Sequence, residues 1–353
     1  MTLKAEGPDL YLEKYRLKMG GTIVRSPQLC DGAFYKGVVI CNMVDDLVHK
    51  IPHVKRYFWL VERIGWFGVG INKLADVRLL DDFSEFELAH ELAPNAVLLP
   101  CGNPDFVDTA MFVPSTTKKD IDVLAVANWQ PFKRHRLLID ALIKCKDMGR
   151  AIKAVMFGHF IGGGTRAEIK YRDDLIEYAR AMGCDIQFPY SSEKTFDGRL
   201  FSPEHMANWI GRAKIGVLCS KYEGINRFKM ECLSSDVPVV ICDDAIWTVR
   251  KHITRTTGLM APPTPEGLAN GIFATLDNLS EYEPREYILA STGINRSMTL
   301  LQDTIDTLDE RMGAPGSLEI ASYDGRNESI IWSGFFEILA EETQRAKRQL
   351  PLP

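Results

Sequence analysis

The sequence predicts an α/β protein made of two Rossmann-like, doubly wound domains, and three observations support this prediction. From about residue 121 onward, short runs rich in Val and Ile alternate with longer amphipathic segments, the pattern of βαβ units in a parallel sheet. The 353 residues are enough for two domains of ordinary size. Hydrophobic residues make up 46% and charged residues 25% of the chain, a balance typical of folded globular proteins.

In the second half of the chain, the apolar runs read as buried strands and the amphipathic segments as helices. The predicted strands are 121–127, 152–158, 184–189, 214–219 and 237–242, and the predicted helices are 132–148, 166–182, 203–212, 226–235 and one that begins at Pro265. Ligands of such domains bind at the carboxyl ends of the strands. We therefore expect the functional residues in the loops that follow the strands.

The first half is less regular and short for a complete doubly wound domain, so we expect it to lack one or two βα units. GTIVR, GVVIC, KRYFWL and ADVRLL are candidate strands, residues 83–92 a candidate helix and MFVPSTTKKD a candidate linker. Residues 330–348 form an amphipathic pattern with an apolar face. These features predict an N-terminal domain over 1–115, a second domain over 116–325 and a final helix within 326–353 that packs back towards the first domain.

Composition and charge exclude several classes of protein. The formal net charge of −5 does not favour a nucleic-acid partner. No apolar run approaches the roughly 20 residues that cross a bilayer, and residues 1–15 lack the apolar core of a signal peptide. We therefore expect a cytoplasmic protein.

The eight cysteines are scattered, and no two of them form a CxxC pair. Several lie within apolar runs such as VLCS and VVIC. We expect buried, reduced thiols, because the spacing supports neither a zinc site nor a disulfide framework.

The most informative segment runs from Ser220 to Glu231, between a predicted strand and a predicted helix. Glu223 follows the strand, and Glu231 lies eight positions later along the helix. Carboxylates accept hydrogen bonds from the vicinal hydroxyls of ribose and hexose. Gly224 permits a sharp turn, and the helix start offers amide groups to a diphosphate, with Arg227 and Lys229 adding positive charge. The alternative is that both glutamates are ordinary surface residues near a helix start.

Two further segments follow predicted strands at the same edge of the sheet. Residues 127–135 include Asn128 and two cations, Lys133 and Arg134. The charges of these two cations can neutralise phosphate, and the alternative is a solvated basic helix start. Residues 158–164 are rich in glycine but do not match the GxGxxG dinucleotide motif. A flexible loop is the alternative there, and Gly158 suits a close approach of backbone.

Together these residues resemble the retaining, GT-B-fold glycosyltransferases often called group 1 or family 4, in which two Rossmann-like domains face each other across a cleft. In that family a Glu-Gly pair precedes a second glutamate by eight positions and a Pro-Val-Val run follows. The matching residues here are Glu223-Gly224, Glu231 and Pro238-Val239-Val240, with Asn128, Lys133 and LLIDAL (137–142) upstream. The resemblance covers roughly residues 75–280.

The resemblance implies a role for each matched residue. Glu231 would hold the donor ribose, and Glu223 would contact the hydroxyls of the transferred sugar as a catalytic residue together with Lys133. Lys133, Asn128, Gly158 and the backbone of Gly224, Ile225, Asn226 and Arg227 would bind the donor. The donor would be a nucleotide diphosphate sugar, the acceptor a glycan, a glycolipid or a small molecule, and the transfer would need neither metal nor cofactor.

The sequence departs from the family at three places. Asn128 stands where the family usually has arginine, a lost charge for which Arg227 can compensate. No acceptor-side histidine is identifiable, and His53 and Glu62 are weak candidates for which a structural role is the alternative. Lys50, Lys55 and Arg56 lie beside aromatic residues 57–59 and Trp66, which indicates either a buried strand with a charged flank or a peripheral membrane contact.

Two other functions remain open on the sequence alone. A non-catalytic or partner-dependent protein of the same fold would keep the donor site, and the shortened N-terminal half and missing arginine favour it. A nicotinamide-dependent oxidoreductase could use the same kind of sheet, but the dinucleotide motif is missing.

Overall fold

The computed structural model describes residues 21–63, 72–80, 86–158, 160, 164–189, 202–223, 226–323 and 335–350. The chain divides into two compact units. One comprises Met1–Phe106 together with Ile294–Pro353, and the other is Val107–Gly293. The sequence analysis placed these boundaries at 115 and 325, and in the structure both lie nearer the N-terminus.

The described residues form thirteen strands and twelve α-helices. The strands are β1 (Gly21–Arg25), β2 (Gln28–Cys30), β3 (Ala33–Tyr35), β4 (Gly37–Cys41), β5 (Phe58–Arg63), β6 (Val77–Leu79), β7 (Val97–Leu99), β8 (Ile121–Val126), β9 (Ala154–Phe157), β10 (Ile186–Gln187), β11 (Ala213–Leu218), β12 (Val239–Cys242) and β13 (Gly258–Ala261). The helices are α1 (Val44–Lys50), α2 (Val54–Tyr57), α3 (Phe86–Leu92), α4 (His135–Asp147), α5 (Arg166–Ala181), α6 (Pro203–Arg212), α7 (Arg227–Ser234), α8 (Trp247–Arg250), α9 (Pro265–Asp277), α10 (Pro284–Ser291), α11 (Ile294–Arg311) and α12 (Phe335–Gln349).

The unit 107–293 contains a six-stranded sheet in the order β10-β9-β8-β11-β12-β13. All five neighbouring pairs are parallel. Chain order rises outward in both directions from β8, so the order reverses between β8 and β11. Such a reversal leaves a crevice at the carboxyl ends of the two central strands, where ligands of doubly wound sheets bind.

Both faces of this sheet are covered, as the continuous apolar strands predict. On one face Val123, Met156 and Ile215 pack in a core that includes residues of α4, α5 and α9. On the other face Leu124, Val155 and a set of residues from α6, α7, α8 and α10 form a second core. The doubly wound α/β fold predicted for this half is confirmed.

Local signals set the helix starts in this unit. The Thr165 side chain accepts the Glu168 amide while the Glu168 carboxylate accepts the Thr165 amide, a complete capping box at α5. Ser202 and Thr264 cap α6 and α9, and each is followed by proline at the first helical position. These caps stand where the sequence places the helix boundaries.

The first unit is built on a five-stranded sheet in the order β1-β4-β5-β6-β7. Strands β4 to β7 are parallel, and β1 pairs with β4 in the antiparallel sense. In KRYFWL only the last three residues belong to β5, because Val54–Tyr57 is a helical turn. The sequence analysis missed the β2–β3 hairpin, although Asp31 and Gly32 at its turn both have positive φ, 51° and 81°, the geometry that favours Asp-Gly.

The chain returns to the first unit at Ile294, earlier than predicted. Leu301, Ile305 and Leu308 recur at helical spacing on α11 and pack in a core with residues of β4, β5 and β6. In α12, Phe335 and Leu339 pack in a second core of the same unit. Ile331 and Trp332, predicted to extend the face of α12, lie outside the described residues. The apolar stripe of α11 places residues 294–323 in this unit.

In the basic-aromatic segment of this unit the aromatic residues 57–59 are buried, whereas Lys50 and Arg56 are exposed and Lys55 is half-buried. Tyr57, Phe58 and Trp59 are 3%, 0% and 8% exposed, so these three rings present no aromatic surface to a bilayer. Trp66 lies outside the described residues. Among the described helices, none combines the length and apolar composition that a membrane crossing requires.

None of the eight cysteines forms a disulfide. Six are buried, and Cys30 and Cys184 are half-buried.

Candidate functional site

A buried ion pair lies at the crevice between β8 and β11. Lys133 Nζ is 2.5 Å from Glu223 Oε2, and both side chains are 6% exposed. The two residues are 90 positions apart. The structure therefore brings together two residues that the sequence assigned to the same site from separate segments.

Each partner is placed by the strand that precedes it. Lys133 ends a short 3₁₀ helix, Pro131–Lys133, that follows β8. Glu223 follows β11, and its carbonyl accepts a hydrogen bond from Thr248 Oγ1 at 2.7 Å. Since β8 and β11 are parallel neighbours with Ile215 opposite Val123, the loops after them emerge side by side.

A small cavity of about 20 Å³, enough for about one water molecule, lies beside Lys133, and Lys133, His135 and Ser220 line it together with residues of β8 and β11. Ser220 is 0% exposed and its Oγ has no hydrogen-bond partner. Both ring nitrogens of His135 and the Oδ1 atom of Asn128 are likewise buried without a partner. Buried polar atoms are normally hydrogen-bonded, so these unpaired atoms at the carboxyl ends of two strands indicate a place for a polar ligand or ordered water.

The imidazole of His135 is held neutral. Burial, and then the positive charge of Lys133, lowers the pKa of His135 to about 3, although the nearby Ala127 carbonyl opposes this. The ring stacks on Trp129 at 4.9 Å between centroids and meets Tyr171 edge-on at 5.9 Å. A neutral imidazole can donate from one nitrogen and accept at the other.

The second glutamate lies one helical turn beyond the start of α7. Glu231 is 6% exposed, and its Oε1 is 3.6 Å from Arg227 Nε. Asn226 caps the helix, because its Oδ1 accepts the Lys229 amide at 2.8 Å. The amide of Lys229, one of the helix-start amides predicted to bind a diphosphate, is therefore already bonded to the cap.

Two cations that were predicted to contact phosphate, Arg134 and Lys229, instead form hydrogen bonds within the protein. Arg134 forms two hydrogen bonds of 2.9 Å to Asp244 and donates from Nε to the Cys219 carbonyl. Lys229 is 2% exposed and donates to three backbone carbonyls at the end of α8. Both predictions of phosphate contact are corrected, because each side chain joins segments of the protein.

Gly158 has a packing role. A Cβ atom at this position would lie 1.6 Å from the Ala127 carbonyl oxygen, so only glycine allows the ends of β8 and β9 to approach. The Gly158 carbonyl accepts a bond of 3.2 Å from Trp129 Nε1. Gly224 and Ile225, predicted to bind the donor, lie outside the described residues, as do most of residues 159–163.

The two acceptor-side candidates lie in the first unit. Glu62 is 2% exposed and bound to Arg78 Nη1 at 2.8 Å and to Asn72 Nδ2. Burial raises its pKa to about 7, against the lowering effects of Arg78 and Asn72. His53 is exposed and has a left-handed backbone with φ 71° at the start of α2. The contacts of Glu62 are those of a buried structural ion pair.

Sequence reasoning missed His135, Asp244 and Thr248, which lie at or around this site. His135 directly follows the predicted Lys133-Arg134 pair, so its position in the loop was a signal. Asp244 and Thr248 follow β12, and only the order of strands in the sheet brings that loop to the site. Within the described residues, no three His, Cys, Asp or Glu side chains gather as metal ligands would.

The fold has counterparts among solved structures. HepE from Anabaena in complex with UDP is 16% identical, with a TM-score of 0.56, over 75% of this chain and 76% of that one. A sucrose-phosphate synthase from Thermosynechococcus elongatus is 17% identical, with a TM-score of 0.52, over 73% and 68%. A glycosyltransferase from Rickettsia africae is 15% identical, with a TM-score of 0.52, over 72% and 70%.

Comparisons of sequence alone find no such counterpart. No model of a known protein family matches the chain, and no curated protein matches it either. The structural likeness, at identities of 15–17%, establishes the fold. The chain has the GT-B glycosyltransferase fold, with α/β architecture and two main sheets in which all neighbouring strands but β1 and β4 are parallel.

Proposed function

We propose that this chain is a glycosyltransferase that takes a sugar from a nucleotide diphosphate donor. The observation that carries the proposal is the buried Lys133–Glu223 pair at the crevice where the strand order reverses. Unpaired polar atoms of Ser220, His135 and Asn128 lie at the same edge of the sheet. The GT-B fold adds support, since HepE, one of the proteins that share it, has been solved with UDP.

Each residue has a chemical role in this proposal. An ammonium group has three donor hydrogens, so Lys133 can keep its bond to Glu223 and still donate to an oxygen of the diphosphate. A preorganised cation at that position stabilises the negative charge that develops on the leaving group. Glu223 accepts a hydrogen bond from a hydroxyl of the transferred sugar, and Glu231 accepts one from the ribose.

Retention of configuration and independence from metal ions are further parts of the proposal. They rest on the resemblance of the glutamate segment to retaining enzymes. With Lys133 as the stabilising cation, no divalent ion is required at the leaving group. Anomeric analysis of the product by NMR and turnover in the presence of a chelator would test these two points. An inverted product or complete loss of turnover with chelator would contradict them.

A thermal-shift screen tests donor binding. UDP, GDP and ADP and their sugars are each added to the intact chain. A ligand at about 100 times its Kd stabilises by about 2.7 kcal/mol, which raises the Tm by roughly 5–11 °C for a domain of this size, at about 2–4 °C per kcal/mol. Glu231→Gln and Lys133→Met should each reduce the shift, whereas Lys170→Met, on the exposed face of α5, should not. No shift with any nucleotide would contradict the proposal.

A non-catalytic nucleotide-sugar-binding protein is the second candidate, and one observation favours it. Lys133, Arg134 and Arg227 all contact carboxylates of the protein itself, which reduces the positive charge available to a diphosphate. Donor binding without release of nucleoside diphosphate, across a panel of glycan, glycolipid and small-molecule acceptors, would support this candidate. Release that is lost in Glu223→Gln would exclude it.

A further inference from the structure

The loop that follows β12, residues 243–251, contacts the segments on both sides of the Lys133–Glu223 pair. Asp244 accepts two hydrogen bonds from Arg134, the residue directly after Lys133. Thr248 Oγ1 donates to the carbonyl of Glu223. One loop therefore contacts the side chain of the residue after Lys133 and the backbone of Glu223, although its sequence carries none of the residues assigned to the site.

The Asp244 contact holds Lys133 through Arg134. Arg134 has a left-handed backbone with φ 54°, a conformation that costs a residue with a Cβ roughly 1–2 kcal/mol. The two bonds of 2.9 Å to Asp244 and the bond from Nε to the Cys219 carbonyl hold the side chain in place. Since the left-handed residue sets the direction of the chain, these contacts fix where the backbone of Lys133 lies relative to the end of β11.

The Thr248 contact holds the glutamate segment. In addition to the 2.7 Å bond from Thr248 Oγ1 to the Glu223 carbonyl, the Ile246 amide donates to the Lys221 carbonyl at 3.0 Å. The segment 221–223 is thus bonded at alternate residues, as a strand is to its neighbour. This arrangement restricts the backbone from which the Glu223 carboxylate projects.

The loop is itself anchored by a buried cation. Lys229 Nζ donates to the carbonyls of Thr248, Val249 and Lys251 at 3.0, 3.1 and 2.7 Å. Charge-assisted bonds of this kind are stronger than neutral ones, and those at the end of α8 satisfy carbonyls that the helix leaves unpaired. The loop is therefore a rigid support for the two contacts above.

We propose that Asp244 and Thr248 are positioning residues that set the distance between Lys133 and Glu223, Asp244 through Arg134 and Thr248 through the Glu223 backbone. The kinetic consequence rests on the proposed glycosyltransferase function, whereas the structural consequence does not. Because catalysis depends on orientation at the level of about 1 Å, loosening either contact should lower turnover more than donor affinity.

The decisive comparison is between Thr248→Val and Thr248→Ser. Valine keeps the shape and removes the hydroxyl, whereas serine keeps the hydroxyl. In crystal structures we expect the Lys133 Nζ–Glu223 Oε2 contact to be lost in Thr248→Val and kept in Thr248→Ser. Activity is measured as release of UDP from UDP-glucose and UDP-N-acetylglucosamine and of GDP from GDP-mannose. In Thr248→Val we expect kcat to fall about ten- to a hundredfold, while KM stays within about threefold of the wild-type value. In Thr248→Ser we expect kcat to recover.

Thr275→Val is the matched control, because Thr275 Oγ1 also donates to a backbone carbonyl, that of Gly271 at 2.9 Å, within α9. It should change neither the ion-pair distance nor kcat. Asp244→Asn is a second test variant, at a half-exposed side chain. It should lengthen the Lys133 Nζ–Glu223 Oε2 contact and lower kcat, as Thr248→Val does.

An unchanged Lys133–Glu223 contact in both Thr248→Val and Asp244→Asn would overturn the inference, whatever the activity. A variant that loses the Lys133–Glu223 contact but keeps the wild-type kcat would overturn the positioning role. If the wild-type chain turns over none of these donors, that result counts against the proposed function, and the variant structures still decide whether the loop sets the pair.

Discussion

At the scale of single residues, burial gives the site its electrostatic character. Lys133 and Glu223 are each about nine-tenths or more buried, so each charge depends on the other, since an unpaired buried charge is strongly unfavourable. His135 stays neutral beside them because it is buried and lies near the Lys133 charge. The residues of the crevice are therefore coupled, and changing one alters the state of the others.

A double-mutant cycle should reveal this coupling. Lys133→Met leaves the Glu223 carboxylate buried without its cation, and we expect a loss of about 3–5 kcal/mol in the free energy of unfolding. The double variant Lys133→Met, Glu223→Gln removes both charges and should lose less than the sum of the single variants. Urea denaturation measures all four corners of the cycle.

The control cycle uses Lys170 and Asp174, an i,i+4 pair on α5 whose side chains are 74% and 57% exposed. Exposed pairs contribute at most about 1 kcal/mol, so this cycle should show little coupling. Strict additivity at Lys133 and Glu223 would contradict the buried ion pair.

The low pKa of His135 predicts acid sensitivity. Its pKa is about 3 in the folded chain against an ordinary value of 6.5. Below pH 6.5 the unfolded state therefore binds a proton that the folded state does not, and stability falls as the pH drops towards 3. Over that interval the loss attributable to His135 should reach about 4–5 kcal/mol.

The variant His135→Phe keeps an aromatic ring against Trp129 and should remove this part of the pH dependence. Unfolding measured in urea at several pH values compares it with the wild type. His90→Phe, at an exposed position on α3, serves as the control and should leave the pH profile unchanged. A profile in His135→Phe as steep as that of the wild type would show that His135 is not buried neutral.

At the scale of secondary-structure elements, the close approach of β8 and β9 shapes the edge of the sheet where the cavity lies. Gly158 directly follows β9 and lies against the carbonyl of Ala127, which directly follows β8. Trp129 then bonds to the Gly158 carbonyl and stacks on His135. The backbone contact at one glycine thus connects directly to a side chain of the cavity.

Replacing Gly158 with alanine should be severely destabilising. The added Cβ would meet the Ala127 carbonyl oxygen at 1.6 Å, so the strand ends must separate, at a cost we expect to exceed about 3 kcal/mol. Gly149→Ala is the comparison, because nothing lies within 4 Å of its Cβ and only its φ of +90° opposes the change. That variant should lose roughly 1–2 kcal/mol. Equal losses in denaturant titrations would contradict the close-approach argument.

The elements themselves follow closely from the sequence. The strands and helices of the unit 107–293 fall within a few residues of their predicted ranges, because alternating apolar runs and local caps are written in adjacent residues. Strand β13 and helices α8 and α10 of this unit, and α11 of the first unit, were not predicted. The signal for β13 is GLMA before a Pro/Thr-rich turn, and the signal for α11 is an apolar stripe in 301–308. Both depend on a partner surface that only the fold supplies.

At the scale of the whole molecule, the return of the chain to its first unit is fixed by buried polar contacts as well as by apolar packing. Asp309 on α11 accepts a bond of 2.5 Å from Arg25 and one of 2.7 Å from Trp59 Nε1. Arg25 and Asp309 side chains are 2% and 1% exposed. This contact joins α11 to β1 and β5, because Asp309 lies 284 residues after Arg25 and 250 residues after Trp59.

The variant Asp309→Asn should loosen the first unit selectively. It leaves the Arg25 guanidinium buried without a counterion, for which we expect a loss of about 3–5 kcal/mol. Hydrogen exchange should quicken at the amides of β4 and β5 and stay unchanged at those of β8 and β11. Asp303→Asn, at an exposed position on the same helix, is the control. Equal protection of β4 and β5 in wild type and Asp309→Asn would contradict this role for Asp309.

The sequence by itself determined the α/β class, the elements of the second unit and the segments that contain Lys133, Glu223 and Glu231, since each of these is encoded in neighbouring residues. The tertiary structure alone decided that Lys133 pairs with Glu223, that Arg134 and Lys229 serve the protein's own backbone and carboxylates, and that residues 294–323 join the first unit. Such contacts depend on which strands lie side by side and on which side chains are buried together. Local patterns cannot specify these relations, because the partners lie tens to hundreds of residues apart.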